Sequence, residues 1–337
     1  EELMQRKSSW VRCALGACLI AAPVSAQAQQ NPSTSSGQGY PTKPIRLIVP
    51  LAPGGPSDIL ARSMAQVISP SLGQSVVVDN RTGAGGTIGI DIASKSPPDG
   101  YTMLLVALAT YTITANLYSK LPYDPRKDLT PVVILAGAPY ILTVHPSLPV
   151  KSLKELIALA KARPTDLNYA SGGTGTGPQM AFELLKLKTG MSIVHIPYKG
   201  TGPALTEQMA GQVQVALFNM IAALPAVQSG KLRGIAVSGA KRSPMLPQTP
   251  TIAESAIEGF EEVGGHMIFV PGATPKDIIA RLYKEFAKAL QTPDVLARLK
   301  SEGAEVIGTP PDQAALAVRK ELDKWADVIR RTGIKVE

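Results

Sequence analysis

The chain has 337 residues, 45% of them apolar and 18% charged, with 30 Gly and 29 Pro. That composition supports a packed core with many tight turns and excludes a disordered chain. Three His and two Cys are too few for a structural zinc site or a disulfide framework. The net charge of +8 comes without a basic run interleaved with aromatics, which excludes a nucleic-acid surface and leaves steering of anions as a use for it.

In chain order, Met4 is followed by Arg6, Lys7 and Arg12, by an apolar run over 13–24, and by Ala26-Gln27-Ala28. This is the pattern of a secretory signal peptide over residues 4–28, too short to span a bilayer. A second reading takes Leu15-Gly16-Ala17-Cys18 as a lipoprotein cleavage box with Cys18 carrying the lipid, which leaves an unusually short apolar core. Cleavage after Ala28 removes both cysteines and leaves a net charge of +7, so the exported chain rests on its core alone. Residues 29–39, rich in Gln, Ser and Gly, read as a flexible leader.

From residue 40 the pattern alternates strand and helix. Strands are predicted over 45–49, 76–78 and 101–108, with a helical stripe of Leu60, Met64, Val67 and Ile68 between the first two. Ser152-x-x-Glu155 is a capping box opening a helix with Leu153, Leu156, Ile157 and Ala160 on one face. Further strands are predicted over 167–170, 192–196, 213–217 and 235–237. Thr274-Pro275 reads as an N-cap and first residue of a helix carrying Ile278, Ile279, Leu282 and Phe286. A last amphipathic helix after Pro310-Pro311 carries Leu322, Trp325, Val328 and Ile329. Alternating βα units predict an α/β protein with parallel sheets covered by helices.

Four loops between a strand and a helix are rich in Gly and hydroxyl residues. They are Pro53-Gly54-Gly55-Pro56-Ser57-Asp58, the stretch 82–89 (TGAGGTIG), the stretch 171–178 (SGGTGTGP) and the stretch 198–203 (YKGTGP). Each aims free backbone N–H groups and a positive helix end at the carboxyl edge of a sheet, a ready anion site that needs no Arg or Lys. One such loop is only a good turn; four, two in each half, point to a shared cleft.

Other chemistries find less support. Gly83-x-Gly85 lacks the third glycine of a dinucleotide fingerprint, since Ile88 stands there, and no acidic residue follows at the next strand tip. No phosphate-loop, zinc-protease or nucleophile-elbow motif is present, so no cofactor or metal is expected. His145, beside Pro146, reads as a strand-end residue and His195, in an apolar strand, as structural. His266 lies in Gly264-Gly265-His266, read as a flexible tract bordering a cleft. A Ser–His–acid triad stays open on residue types alone.

Seven stretches carry a family resemblance: 44–58 (PIRLIVPLAPGGPSD), 73–89 (GQSVVVDNRTGAGGTIG), 98–105 (PDGYTMLL), 121–128 (LPYDPRKD), 167–173 (LNYASGG), 195–205 (HIPYKGTGPAL) and 241–251 (KRSPMLPQTPT). In this order the chain resembles the Bug-type extracytoplasmic solute receptors, the substrate-binding proteins of tripartite tricarboxylate transporters. The resemblance implies a two-lobed periplasmic binding protein (type II) fold with two chain crossings, near 136–140 and 262–265. Lobe one is then 40–138 plus 265–337, and lobe two 139–264. It implies a non-enzymatic, monomeric periplasmic receptor that closes on a small carboxylate, a di- or tricarboxylate or an aromatic acid, and delivers it to membrane permease subunits.

On that basis the candidate ligand-binding residues are Gly54, Gly55, Ser57 and Asp58 of the first loop and Thr110 at the third strand tip. The other lobe adds Thr174, Gly175, Thr176, Thr201, Gly202 and Asn219, and His266 lies by the second crossing. Asp58 is expected to order its loop, because a carboxylate repels an anion. Phe218 stands before Asn219 where relatives commonly carry an acid, and Leu51 stands where Phe is usual; both predict a less polar pocket for an aromatic or longer acid. The alternatives are an exported α/β hydrolase, which needs an activated nucleophile, and a sensing subunit, which uses the same closure.

Overall fold

The computed structural model describes residues 39–332 apart from Thr165. The signal peptide over 4–28 and all but the last residue of the leader lie outside the described residues.

Three short apolar strands, β1 (Ile45–Val49), β2 (Val76–Asn80) and β3 (Thr102–Ala107), run parallel in the order β2-β1-β3. They alternate with α1 (Pro56–Leu72), a 3-10 turn at Ala84–Gly86 leading into α2 (Thr87–Ser94), and α3 (Leu108–Leu117). The chain continues through β4 (Leu129–Val144), α4 (Leu153–Ala162), β5 (Asn168–Ser171), α5 (Gly177–Thr189), β6 (Val194–Pro197) and α6 (Thr201–Met209). Then come β7 (Val215–Asn219), α7 (Met220–Gln228), β8 (Arg233–Val237), α8 (Ile252–Ser255) and β9 (Val263–Pro271). The last elements are α9 (Lys276–Leu290), α10 (Pro293–Ser301), β10 (Glu305–Thr309) and α11 (Pro311–Thr332).

The strands follow one path, β2-β1-β3-β9-β4-β7-β5-β6, with β8 and β10 also paired to β4. The expected parallel pairing holds for β1–β2–β3 and for β5 with β6 and β7. It fails for β4, β8, β9 and β10, which pair antiparallel, so the α/β architecture is built on a mixed sheet. Neither β4 nor β9 is marked as a strand by local pattern. β4 is 16 residues long and buried almost throughout, so its apolar run has no alternation to read. Its partner changes along its length: Leu129 to Pro139 pair with β9, and Tyr140 to Val144 with β7 and β8.

Period-two alternation divides the core. On β9, Ile268 and Val270 face the cluster of Leu60, Met64, Leu282 and Phe286, whereas Met267 and Phe269 face Tyr111, Val318 and Leu322. The α11 stripe is therefore core-facing, and Trp325 packs with Ile113, Leu117 and Met180. Tyr169 stacks on Phe182 at 4.0 Å between ring centroids under the other sheet section.

Two helix starts differ from expectation. α9 begins at Lys276 with Pro275 as its N-cap, because the Thr274 hydroxyl donates back to Pro271 O at 2.7 Å instead of capping. At α4 the Ser152 side chain accepts the Glu155 N–H, but the Glu155 carboxylate turns to the Lys151 N–H, leaving half a capping box. The complete box is at α8, between Thr251 and Glu254.

Candidate functional site

Six strands, β1, β2, β3, β5, β6 and β7, run at their carboxyl ends into helices α1, α2, α3, α5, α6 and α7. The N-caps of five of these helices, Gly55, Gly86, Ala107, Thr176 and Gly200, supply no side-chain cap. Only Asn219 caps its helix, its Oδ1 accepting the Ile221 N–H at 3.1 Å. Asp58 is the sole acid in any of these first turns. Orphan N–H groups and positive helix ends are thus left facing the loops.

Those loops meet. The Ala52 N–H donates to Lys199 O at 3.0 Å. A Cβ on Gly202 would stand 2.2 Å from Pro53 O, and one on Gly55 would be 3.6 Å from Thr201 Cβ. The second loop meets the third in the same way: Gly85, at φ 63, leaves 2.3 Å between such a Cβ and Thr174 O. Glycine is required at Gly202 by the approach alone and at Gly85 also by its left-handed backbone. Between these contacts lies a space of about 180 Å³, bordered by Leu51, Gly85, Tyr118, Gly173, Thr174 and Lys199. Among the described residues lining it, Lys199 is the only charged one, and it is a cation.

Asp58 is buried and fully engaged. Its carboxylate accepts the Gly54 N–H at 3.0 Å and the Arg62 guanidinium at 3.0–3.1 Å. Burial pushes its pKa up, but Arg62, the Gly54 N–H and Asn80 outweigh it and hold the carboxyl below its usual range. Asn80 in turn donates to Leu51 O at 3.0 Å, so this group shapes the first loop.

Ser57, Thr110 and Thr201 are buried residues whose hydroxyls make no hydrogen bond among the described residues, and none of the three oxygens is sealed from solvent. Thr110 sits in the first turn of α3 rather than at the strand tip, because β3 ends at Ala107. Thr174 lines the enclosed space. The Gly175 N–H donates to Gln179 Oε1 at 3.2 Å, and the Thr176 hydroxyl donates to Gly173 O at 2.8 Å, so both serve their own loop. Asn219 is likewise occupied, by its cap and by donation to Ala138 O at 3.4 Å.

Two expectations are corrected. His266 is not in a flexible tract: it is a β9 residue paired with Ala107 and Ala136, 1% exposed, with neither ring nitrogen hydrogen-bonded. Burial lowers its pKa to about 4, so the ring is neutral at pH 7. Phe218 is 1% exposed and packs in the core with the α1 side chains, so its ring is a packing element and gives no ground for an aromatic ligand.

The structure brings Gly54, Gly55, Thr201 and Gly202 together at one contact and Gly85 and Thr174 at another. The register sets His266 beside Ala107, the N-cap of α3. Sequence reasoning did not single out Tyr118, Lys199 or Ser171; the Ser171 hydroxyl lies 2.7 Å from His195 Nε2 across β5 and β6. The available signal was weak: residue 171 directly follows the predicted strand over 167–170, and 195 lies within the next predicted strand over 192–196.

This chain is 39% identical over 319 residues to BugT of Bordetella pertussis (strain Tohama I), covering 94% of each. The solved periplasmic binding protein BugD matches with a TM-score of 0.85 at 33% identity, covering 88% of this chain and 100% of that one. R. palustris Rpa4515, solved with adipate, matches with a TM-score of 0.85 at 36% identity, covering 88% and 99%. The family described as "Tripartite tricarboxylate transporter family receptor" matches residues 60–334. The chain therefore belongs to the tripartite tricarboxylate transporter receptor family, solute-binding receptors rather than enzymes.

Proposed function

We propose that this receptor works in the periplasm as a monomer, closes two lobes on a dicarboxylate, and delivers it to the permease subunits of a tripartite transporter. The lobes of this reading are 40–138 with 265–337 and 139–264, hinged where β4 changes partners. The observation that carries it is the set of helix ends without a side-chain cap whose first turns hold Ser57, Thr110 and Thr201, with hydroxyls free of hydrogen bonds, together with the contact between the first and fourth loops. An anion collects such donors without a full countercharge, and one cation, Lys199, borders the space for a second carboxylate. Adipate in a 36%-identical neighbour supports an aliphatic diacid. The core position of Phe218 removes the argument for an aromatic one.

Ser57, Thr110, Thr201 and the Gly55 and Gly202 backbone are read as ligand contacts, with Thr174 at the facing loop, while the Gly54 and Gly175 N–H groups are spent on Asp58 and Gln179 and order their own loops. Asp58, Thr176 and Asn219 hold the loops in place, and His266 closes the floor. The test is a thermal-shift series with adipate, malate, citrate and terephthalate. A ligand at 100 times its dissociation constant stabilises by about 2.7 kcal/mol, several degrees in the midpoint. A shift with adipate or malate and none with terephthalate is expected. Terephthalate alone would overturn the aliphatic assignment, and no shift with any acid at about 10 mM would overturn the carboxylate one. Gel filtration checks the monomer, and co-purification with the permease subunits checks delivery.

A further inference from the structure

Ser171 ends β5 and opens the loop over 172–176. Its buried hydroxyl has two partners: Oγ lies 2.7 Å from His195 Nε2 on β6 and accepts the Gly173 N–H at 3.1 Å. The Ser171 carbonyl also accepts the Tyr198 N–H at 3.0 Å. Beyond Gly173, the Gly173 carbonyl accepts the Thr176 hydroxyl at 2.8 Å, so one chain of bonds runs from the imidazole through the loop to the start of α5.

The imidazole is itself held. It stacks on Tyr169 at 4.7 Å and 21°, and Tyr169 stacks on Phe182. The Tyr169 hydroxyl donates to Glu183 Oε1, which pairs with Lys186 at 3.0 Å. Burial, opposed by Glu183 and reinforced by Lys186, brings the His195 pKa down to about 4. A neutral ring carrying its proton on Nδ1 presents Nε2 as an acceptor, so the Ser171 O–H points at it and an oxygen lone pair is left for Gly173. The hydroxyl is therefore saturated, and no carboxylate hydrogen-bonds His195 among the described residues. This is not an activated nucleophile.

We propose that Ser171 and His195 are a positioning pair: His195 orients the Ser171 hydroxyl, the hydroxyl anchors the Gly173 N–H, and the loop over 172–174 is thereby held in the orientation that meets the ligand. Neither side chain touches the ligand. The proposal rests on the reading that this loop faces a bound acid, and it assigns to His195 a role that an apolar strand position does not suggest.

Three variants separate the parts. Ser171→Ala deletes the hydroxyl, His195→Phe keeps the stacked ring without an acceptor, and His195→Gln restores an acceptor near the Nε2 position. Two readouts are taken: amide hydrogen exchange of Gly173 in the unliganded protein, and affinity for adipate. Ser171→Ala and His195→Phe each raise Gly173 exchange about tenfold and weaken adipate binding about tenfold. The double variant is no worse than either single one, and His195→Gln recovers most of both losses. Unchanged Gly173 exchange in Ser171→Ala, additive losses in the double variant, or failure of His195→Gln to exceed His195→Phe would each overturn the pair. If the wild-type chain does not bind adipate, the exchange readout still decides the pair while the dicarboxylate reading fails separately. Should His195→Phe melt early, Ser171→Ala, which removes one atom, decides alone.

Discussion

Helices α8 and α6 begin in opposite ways. At α8 the Thr251 hydroxyl accepts the Glu254 N–H at 3.0 Å and the Glu254 carboxylate accepts the Thr251 N–H at 2.9 Å, closing the end within four residues. At α6 the N-cap is Gly200, and the hydroxyl of Thr201, a buried residue, bonds to nothing among the described residues. α8 lies under β8 and uses its donors for folding; α6 opens on a loop that touches the first loop across the space and keeps its donors free. The same residue type, Thr, is a structural cap in one place and an open donor in the other. What differs is position: Thr251 is the N-cap of α8, whereas Thr201 is the first residue of α6, one place after its N-cap Gly200. On the proposed function, stability and binding are carried by different helix ends, and substitutions should separate them.

The largest effect is expected from Gly202→Ala. Its Cβ would lie 2.2 Å from a backbone oxygen, Pro53 O, which cannot yield as a flexible side chain would. Adipate affinity measured by calorimetry should fall by about 100-fold, the scale of a 2–3 kcal/mol overpacking penalty. Full affinity would mean that this loop contact is not part of the bound state.

Next is His266→Leu, read by urea unfolding at pH 7 and pH 4. The folded pKa of about 4 lies below the ordinary imidazole value of 6.5, so the neutral ring contributes stability that is fully present above 6.5 and lost as pH falls towards 4. The wild type should lose up to about 3 kcal/mol across that window through this group, and the variant should be spared that loss. Equal losses in both proteins would show that the ring is not held neutral.

Thr251→Ala should lower stability by about 1 kcal/mol and leave adipate affinity unchanged. Ser57→Ala should do the converse: stability within about 0.5 kcal/mol of wild type and adipate affinity about fivefold weaker, since the hydroxyl has no internal partner to lose. Loss of affinity in the first or of stability in the second would dissolve the contrast between capped and open helix ends.

Much of the candidate site is legible in the sequence. The four Gly- and hydroxyl-rich loops, the βα alternation and the order of motifs are local or sequential features, and the structure puts each loop at the start of a helix. The role of Asp58 in ordering its loop was legible too, from charge: a carboxylate at an anion site is tolerable only when paired, and Arg62 lies one helical turn on. Phe218 and His266 were misread because a residue's face on a strand depends on its partners. β7 turns Phe218 into the core, and β9 is held between β3 and β4, which removes the freedom that two glycines suggest.

By itself, then, the sequence determined what is short-range: to within a residue or so where helices start, and which strand-to-helix turns are rich in glycine and hydroxyl residues. The tertiary structure alone decided that β4 pairs β9 over one stretch and β7 and β8 over the next, that Gly202 sits against Pro53, and that Ser171 meets His195. The reason is physical. Capping and helical periodicity act over three or four residues, so they are written in adjacent letters. Strand pairing and loop contact join residues 24 positions apart at Ser171–His195 and 168 apart at Gly137–Glu305, and the burial that selects among the possible pairings belongs to no single segment.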